Sequence, residues 1–225
     1  MKKIKVTKDG PYIVSGSVPL AKETAEGEYN GGPERWHTER KFTTGEIYSL
    51  CRCGRSGNMP FCDGAHLKFG FDGTETAGYD KFVDKAKLIT GPGLDLLDWY
   101  DLCSLARFCH LGNNTWNDVA NSDNQKSKED AVYSACCCPS GRLVPVDKTT
   151  NQPIEPELEP SISLTEDPIK DVSGPLWVKG GIEIESAEGK SYEIRNRVTL
   201  CRCGKSENKP LCDSSHVGCK FKDNL

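Results

Sequence analysis

The chain repeats one cysteine motif at two places, and this repeat restricts the fold more than any other feature of the sequence. Residues 50–66 read LCRCGRSGNMPFCDGAH, and residues 200–216 read LCRCGKSENKPLCDSSH. Three cysteines and one histidine recur at the same offsets, together with a proline and an aspartate. An internal repeat indicates two copies of one structural unit. We therefore predict two small units of similar fold.

The donor residues of each copy have a spacing that suits a metal site. Cys51 and Cys53 are one residue apart, so they cannot share a helical face and must come from a loop. His66 follows Cys62 by about one helical turn. The second copy offers its four donors in the same order: Cys201, Cys203, Cys212 and His216. In each copy the CxC pair can hold one metal ion, and the later cysteine and histidine another.

The high cysteine content also allows a disulfide framework, because twelve is an even number. The N-terminal sequence MKKIKVTKDG has no apolar signal segment, and no stretch approaches the roughly 18 apolar residues of a membrane span. We therefore expect a cytoplasmic protein, without a membrane partner, whose cysteines stay reduced for metal or redox chemistry. The net charge of −4 argues against a nucleic-acid partner.

The repeated motif resembles the signature of the CDGSH iron–sulfur (NEET) proteins, C-x-C-x2-S-x3-P-x-C-D-G-[SA]-H. The first copy fits throughout, whereas the second has Ser214 where the signature has glycine. The resemblance implies two [2Fe–2S] clusters, one on each Cys3His set: Cys51, Cys53, Cys62, His66 and Cys201, Cys203, Cys212, His216. It also implies β-rich units that normally pair from two protomers. We therefore expect a monomer in which the two copies pair around a pseudo-two-fold axis.

The same ligand set also suits structural zinc, so a zinc-stapled interaction module without a redox role is an alternative. Zinc sites, however, usually separate paired cysteines by two to four residues. In an iron–sulfur site, a histidine in place of a thiolate removes negative charge, raises the potential and lets protonation release the ligand. The expected function is electron or cluster transfer with a redox partner protein or an apo iron–sulfur acceptor.

Other polar residues of the motif have two interpretations. One interpretation is that they donate hydrogen bonds to sulfur, and the other is that they only close the loop; these residues are Ser56, Asn58, Ser206 and Asn208. Arg52 and Arg202 either offset cluster charge or have the same loop-closing role. We find no nucleotide-binding glycine loop and no hydrolytic triad, so the chain is not expected to be an enzyme.

A second cysteine pattern lies between the two copies. Cys103 and Cys109 are followed by Cys138 in a Cys-Pro-Ser-Gly sequence, which resembles a divergent single-cluster ferredoxin segment. Ala106 stands where a bacterial ferredoxin has a further cysteine. The resemblance implies a third cluster, [3Fe–4S] or [4Fe–4S], on these three cysteines, and hence an electron relay of three centres. The alternative is a relic domain with buried, inert cysteines.

These patterns predict an α+β protein in four segments. The segments are a first unit with N-terminal strands (1–75), a helical ferredoxin-like insert (76–148), a connector rich in proline and acidic residues (149–173) and a second unit (174–225). Leucine spacing predicts a helix from Leu94 to Cys109, and a second helix should begin at Ser127 and end before Pro139. Short apolar or alternating stretches predict strands at 4–6, 12–14, 47–50, 182–185 and 197–200.

Overall fold

Short strands separated by turns dominate the computed structural model, which describes residues 2–27 and 32–225. The described strands are β1 (Lys3–Val6), β2 (Tyr12–Ser15), β3 (Leu20–Glu26), β4 (Arg35–Phe42), β5 (Ile47–Leu50), β6 (Lys87–Thr90), β7 (Leu94–Asp98), β8 (Leu143–Asp147), β9 (Gln152–Pro153), β10 (Ser161–Asp167), β11 (Val172–Lys179), β12 (Glu183–Glu185) and β13 (Arg197–Leu200). The described α-helices are α1 (Ala65–Lys68), α2 (Phe82–Lys85), α3 (Thr115–Ala120), α4 (Gln125–Cys136) and α5 (Ser215–Gly218). The predicted α+β class is confirmed.

Two sheets combine strands from the two ends of the chain. One has the order β12-β1-β2-β5, and the other has the order β13-β11-β10-β3-β4. Strand β12 pairs parallel to β1, and β10 pairs parallel to β3. The shared core therefore contains buried residues of both halves, such as Ile4, Val14, Leu164 and Val178.

The strands before each cysteine motif follow the predicted pattern. In β1, Ile4 and Val6 are buried and alternate with lysines that are exposed or partly so, as expected for a strand with one face on a core. Strands β5 and β13 end at Leu50 and Leu200, both fully buried. The first cysteine of each motif follows directly, so the core fixes the start of each cysteine loop.

The insert and the start of the connector form a third sheet, of order β6-β7-β8-β9, with α3 and α4 packed near it. The predicted helix from Leu94 to Cys109 is wrong, because Leu94–Asp98 is strand β7 and only short 3-10 turns follow, at Tyr100–Leu102 and Phe108–His110. Leu94 and Leu96 are fully buried on either side of the less buried Asp95, which is a strand period. Backbone pairing with β6 and β8 therefore prevails over the leucine spacing.

The second predicted helix exists, but it begins earlier than expected. Helix α4 starts at Gln125, and the side chain of Asn124 accepts hydrogen bonds from the backbone N–H groups of Lys126 and Ser127. Asparagine is as good an N-cap as serine, so the predicted start at Ser127 is wrong. The end at Cys136 agrees with the prediction that the helix stops before Pro139.

Residues 149–173 are more than the connector that their composition predicts. Strand β10 lies inside this segment and pairs with β3 on one side and β11 on the other. Ile162 and Leu164 are fully buried, and three of the four prolines and three of the six acidic residues of the segment precede them. The composition of the whole segment conceals this short buried strand. Among the described residues, the structure has no helix long and apolar enough to cross a membrane.

Candidate metal centres

The first cysteine loop brings its four donors together as two pairs. The Sγ atoms of Cys51 and Cys53 are 3.7 Å apart, and Cys62 Sγ lies 3.4 Å from Nδ1 of His66. The backbone N–H of Cys51 donates to the carbonyl of Pro60 at 2.8 Å, which returns the chain toward its start. The CxC pair is buried, whereas Cys62 and His66 are partly exposed.

The second loop repeats this arrangement with nearly the same distances. Cys201 and Cys203 have their Sγ atoms 3.7 Å apart, and Cys212 Sγ lies 3.5 Å from Nδ1 of His216. The N–H of Cys201 donates to Pro210 at 2.8 Å. Here all four donors are buried, with Cys212 and His216 each 4% exposed. The sites thus share their geometry and differ in their exposure.

The motif serines and aspartates close the loops. Ser56 Oγ donates to the carbonyl of Phe61 at 2.6 Å and accepts from the N–H of Asn58. Asp63 accepts hydrogen bonds from the backbone N–H groups of Ala65 and Gly57. Both hydrogen bonds lower the pKa of Asp63, and that from Ala65 has the larger effect. Ser206 and Asp213 make the equivalent hydrogen bonds in the second copy. Of the two interpretations, the contacts of the serine hydroxyls support loop closure.

The residue before each short histidine helix adopts a left-handed conformation. Gly64 has φ = +84° and Ser214 has φ = +74°. Serine pays about 1 kcal/mol for this conformation relative to glycine. Ser214 therefore has the same backbone conformation as the glycine that it replaces in the signature.

The two cysteine loops touch each other back to back. A Cβ atom added to Gly54 would lie 2.7 Å from the carbonyl oxygen of Cys203. A Cβ atom added to Gly204 would lie 2.6 Å from the carbonyl oxygen of Cys53. Both glycines have positive φ, so only glycine combines this conformation with such a close approach. The two sites are held against each other through their CxC turns.

Burial and mutual contact set the acidity of the donors. Burial raises the pKa of Cys53 to about 11 and that of Cys212 well above its usual range. The hydrogen bond with Cys203 lowers the pKa of Cys201 to about 6 and raises that of Cys203. Burial lowers the pKa of His216 to about 4, which favours the neutral imidazole that binds metals. Metal binding must therefore displace protons mainly from buried thiols.

Two buried arginines support the loops. Arg52 donates to the carbonyls of Thr7 and Gly73, and among the described residues no carboxylate forms an ion pair with it. Arg202 instead contacts the carboxylates of Asp223 and Glu166. Among the described residues, the buried guanidinium of the first loop thus has no ion-pair partner. The positive charge of the second loop's guanidinium is balanced by two carboxylates.

The insert brings three of its five cysteines near one another. Burial raises the pKa of Cys109 to about 12, and the neighbouring thiols of Cys138 and Cys103 add to this rise. Cys136 turns away, with its Sγ 3.9 Å from the carbonyl of Ile154, and Cys137 lies beside Tyr133. Only one of the three consecutive cysteines therefore joins Cys103 and Cys109.

Arg197 in β13 is a supporting residue that the sequence patterns did not reveal. Its guanidinium donates to the carbonyls of Ala135, Cys136 and Cys138 and pairs with Glu155 at 2.7 Å. It thereby ties the end of α4 to the strand that leads into the second loop. The corresponding residue of the first copy is Ile47, which is 65% exposed. An arginine in one repeat and an isoleucine in the other was the sequence difference that could have drawn attention to Arg197.

The histidines and the cysteine outside these clusters belong to the surface. His37, His110 and Cys219 are exposed. Across residues 2–27 and 32–225, no three His, Cys, Asp or Glu side chains converge on a single ion position. In the two repeated sites the donors are present as close pairs.

Two known families match separate parts of the chain. The family described as iron-binding zinc finger, CDGSH type, matches residues 9–67 and 173–217. The family described as divergent 4Fe-4S mono-cluster matches residues 89–148. No curated protein and no solved structure matches the chain. The paired donors lie in the first family's regions, and the three neighbouring insert cysteines lie in the second's.

Proposed function

This chain consists of two CDGSH-type regions with a divergent ferredoxin-like region between them and is an iron–sulfur protein; from this we propose that it carries electrons or clusters and is not an enzyme. We assign one [2Fe–2S] cluster to Cys51, Cys53, Cys62 and His66, and a second to Cys201, Cys203, Cys212 and His216. Such a cluster supplies a one-electron redox centre. The partner is a redox protein or an apo iron–sulfur acceptor.

The observation that carries this proposal is the pairing of donors. Each site has two thiols 3.7 Å apart and, separately, a thiol and an imidazole 3.4–3.5 Å apart. Two pairs suit two iron atoms with two protein ligands each. A tetrahedral zinc ion instead requires all four donors around one point. The pairing therefore favours a binuclear cluster over the zinc-stapled alternative.

The histidines suit both carrier functions. A neutral imidazole leaves the site less negative than a fourth thiolate, which favours electron uptake. The same imidazole can be protonated and lost, which favours cluster release. The buried backbone around each CxC pair holds the donors in place, so little rearrangement accompanies a change in charge.

The two units pair within one chain, and we propose a pseudo-two-fold axis between them. If β1 is matched with β10, β2 with β11, β3 with β12 and β5 with β13, the order of the first sheet reproduces that of the second, apart from β4. The reciprocal contacts of Gly54 and Gly204 support the same axis. A monomer would then contain the pair of sites that two protomers of CDGSH proteins provide.

A specific observation favours a third centre. Cys103, Cys109 and Cys138 lie near one another within the region that matches a divergent 4Fe-4S family. Three thiolates suit a [3Fe–4S] cluster, or a [4Fe–4S] cluster with one other ligand. The alternative function is then an electron relay of three centres.

Metal and sulfide analysis of anaerobically purified protein tests these proposals. We expect about four irons and four acid-labile sulfides per chain for two [2Fe–2S] clusters, and about seven or eight irons if the insert is also filled. Two zinc ions without sulfide would refute the iron–sulfur assignment. Cys103→Ser should remove only the additional iron, whereas Cys51→Ser should reduce the content of the first site.

A further inference from the structure

The two repeated sites differ in what covers their outer donors. Cys62 and His66 are partly exposed, and the next residues, Leu67 and Phe69, are 80% and 57% exposed. Cys212 and His216 are 4% exposed. Because the two motifs have the same internal geometry, the cover of the second site must come from outside the motif.

The insert provides part of this cover. Residues 103–109, here called the insert loop, face the second cysteine loop across a cavity of about 490 Å³. Cys103 and Leu105 line one side of this cavity, and Asp213 and Ser214 line the other. Leu211, in the second cysteine loop, packs against the cluster of Phe82, Leu102 and Val144.

A partly buried ion pair fastens the insert loop to the second unit. Nη2 of Arg107 donates to both carboxylate oxygens of Asp167, at 2.7 and 2.6 Å, and the two side chains are 17% and 13% exposed. Arg107 has φ = +67° and Leu105 has φ = +53°, so the loop holds a backbone that these residues rarely adopt.

Asp167 lies in an extension of the second unit that the first unit lacks. In the β1–β2 hairpin of the first unit, Thr7 Oγ1 donates to the carbonyl of Pro11, four positions away. In the β10–β11 hairpin of the second unit, Thr165 Oγ1 donates to the carbonyl of Pro175, ten positions away. The longer turn carries Asp167 to the insert loop. The insert and this extension therefore form one structure over the second site.

We propose that the Arg107–Asp167 pair determines which of the two sites can exchange its cluster. It fastens the insert loop over the second site, which retains its cluster, and leaves the first site accessible to an acceptor protein. In that exchange the acceptor's thiolates replace the donors of the first site. The released donors take up the protons that the acceptor's thiols lose, so no electron is gained or lost. This inference rests on the proposed function.

The accessibility of the donors can be measured without any cluster. In metal-free, reduced protein we expect iodoacetamide to modify Cys62 at least about tenfold faster than Cys212, as measured by peptide mass spectrometry. Arg107→Ala should accelerate modification of Cys212 and leave Cys62 unchanged. Arg55→Ala removes an arginine beside the first site and is the matched control, which should leave Cys212 unchanged. Equal rates for Cys62 and Cys212 in the parent protein would overturn the proposal.

A charge exchange separates the ion pair from a general loss of folding. The double variant Arg107→Asp with Asp167→Arg should restore slow modification of Cys212, whereas each single variant should not. If the double variant stays as accessible as the single variants, the ion pair does not control access.

The loaded protein supplies an independent measurement. Iron loss to a ferrous chelator should occur in two phases, and Cys62→Ser should leave only the slow one. Arg107→Ala should merge the two phases of the parent protein. A single phase in the parent would refute unequal exchange, while absence of iron would refute only the proposed function, since the alkylation results stand without clusters.

Discussion

Replacing Gly54 by alanine tests whether the contact between the two cysteine loops stabilises the protein. Gly54 has φ = +73°, and its new Cβ atom would lie 2.7 Å from the carbonyl oxygen and 2.9 Å from the carbonyl carbon of Cys203. Both neighbours are backbone atoms, which cannot turn aside like a flexible side chain. The substitution therefore forces the two loops apart.

The magnitude follows from two contributions. Alanine in a left-handed conformation costs about 1 kcal/mol relative to glycine. Overpacking against a fixed neighbour costs about a further 1–3 kcal/mol. Gly64→Ala is the matched control, because Gly64 has φ = +84° and no atom of the described residues lies within 4 Å of its added Cβ. We expect Gly64→Ala to lower the free energy of unfolding by about 1 kcal/mol and Gly54→Ala by about 2–4 kcal/mol.

Anaerobic urea titration followed by far-ultraviolet circular dichroism measures both variants, with refolding at the same urea concentrations as the test of reversibility. Gly204→Ala should resemble Gly54→Ala, because its Cβ atom would lie 2.6 Å from the carbonyl oxygen of Cys53. The double variant should cost less than the sum, since both changes disturb one contact. If Gly54→Ala and Gly64→Ala lose equal stability, the contact between the loops does not contribute as we argue.

Three further predictions concern single side chains. His66→Cys adds a negative charge to the first site, so its potential should fall in a spectroelectrochemical titration and its cluster should leave more slowly in mild acid; an unchanged rate of loss would contradict the role of the imidazole. Arg197→Met should destabilise the protein by about 3–5 kcal/mol in urea titration by removing a buried charge from its ion pair, whereas Ile47→Ala, at the exposed counterpart, should cost less than about 0.5 kcal/mol. Folding lowers the pKa of Asp63, so the carboxylate stabilises the first loop at a pH above its unfolded pKa of about 3.9, and this stabilisation is lost as the pH falls through the folded pKa. Asp63→Asn should therefore weaken the decrease of the free energy of unfolding in acid. Equal dependence of this free energy on pH in variant and parent would refute the role of Asp63.

The short strands and the loop geometry were predictable because local rules fix them. Alternating burial at Ile4 and Val6 fits strand β1, and the recurrence of the motif predicts two similar loops. The positive φ at Ser214 follows from the glycine at the same place in the first copy. The segment after Leu94 was predicted wrongly, because its leucines fit a helical face while backbone pairing with β6 and β8 makes it a strand.

Features that depend on distant contacts could not be predicted from the sequence. The parallel pairing of β1 with β12 joins residues that lie at opposite ends of the chain, and no local pattern marks it. Arg107 and Asp167 are ordinary charged residues in the sequence, and only the fold brings them together. The unequal cover of the two sites therefore becomes visible only in the structure, although their donors are identical in kind.

The exchange of strands between the two units also has a consequence for the order of events during synthesis. Strand β12 follows β1 in synthesis only after the insert and strands β10 and β11. The first sheet therefore stays incomplete until these segments have been translated, and such long-range pairing is slow. The first loop, with Cys51, Cys53 and Cys62, is translated before its sheet is complete. We therefore expect nascent chains truncated before β12 to bind metal at these cysteines less well than the full chain does.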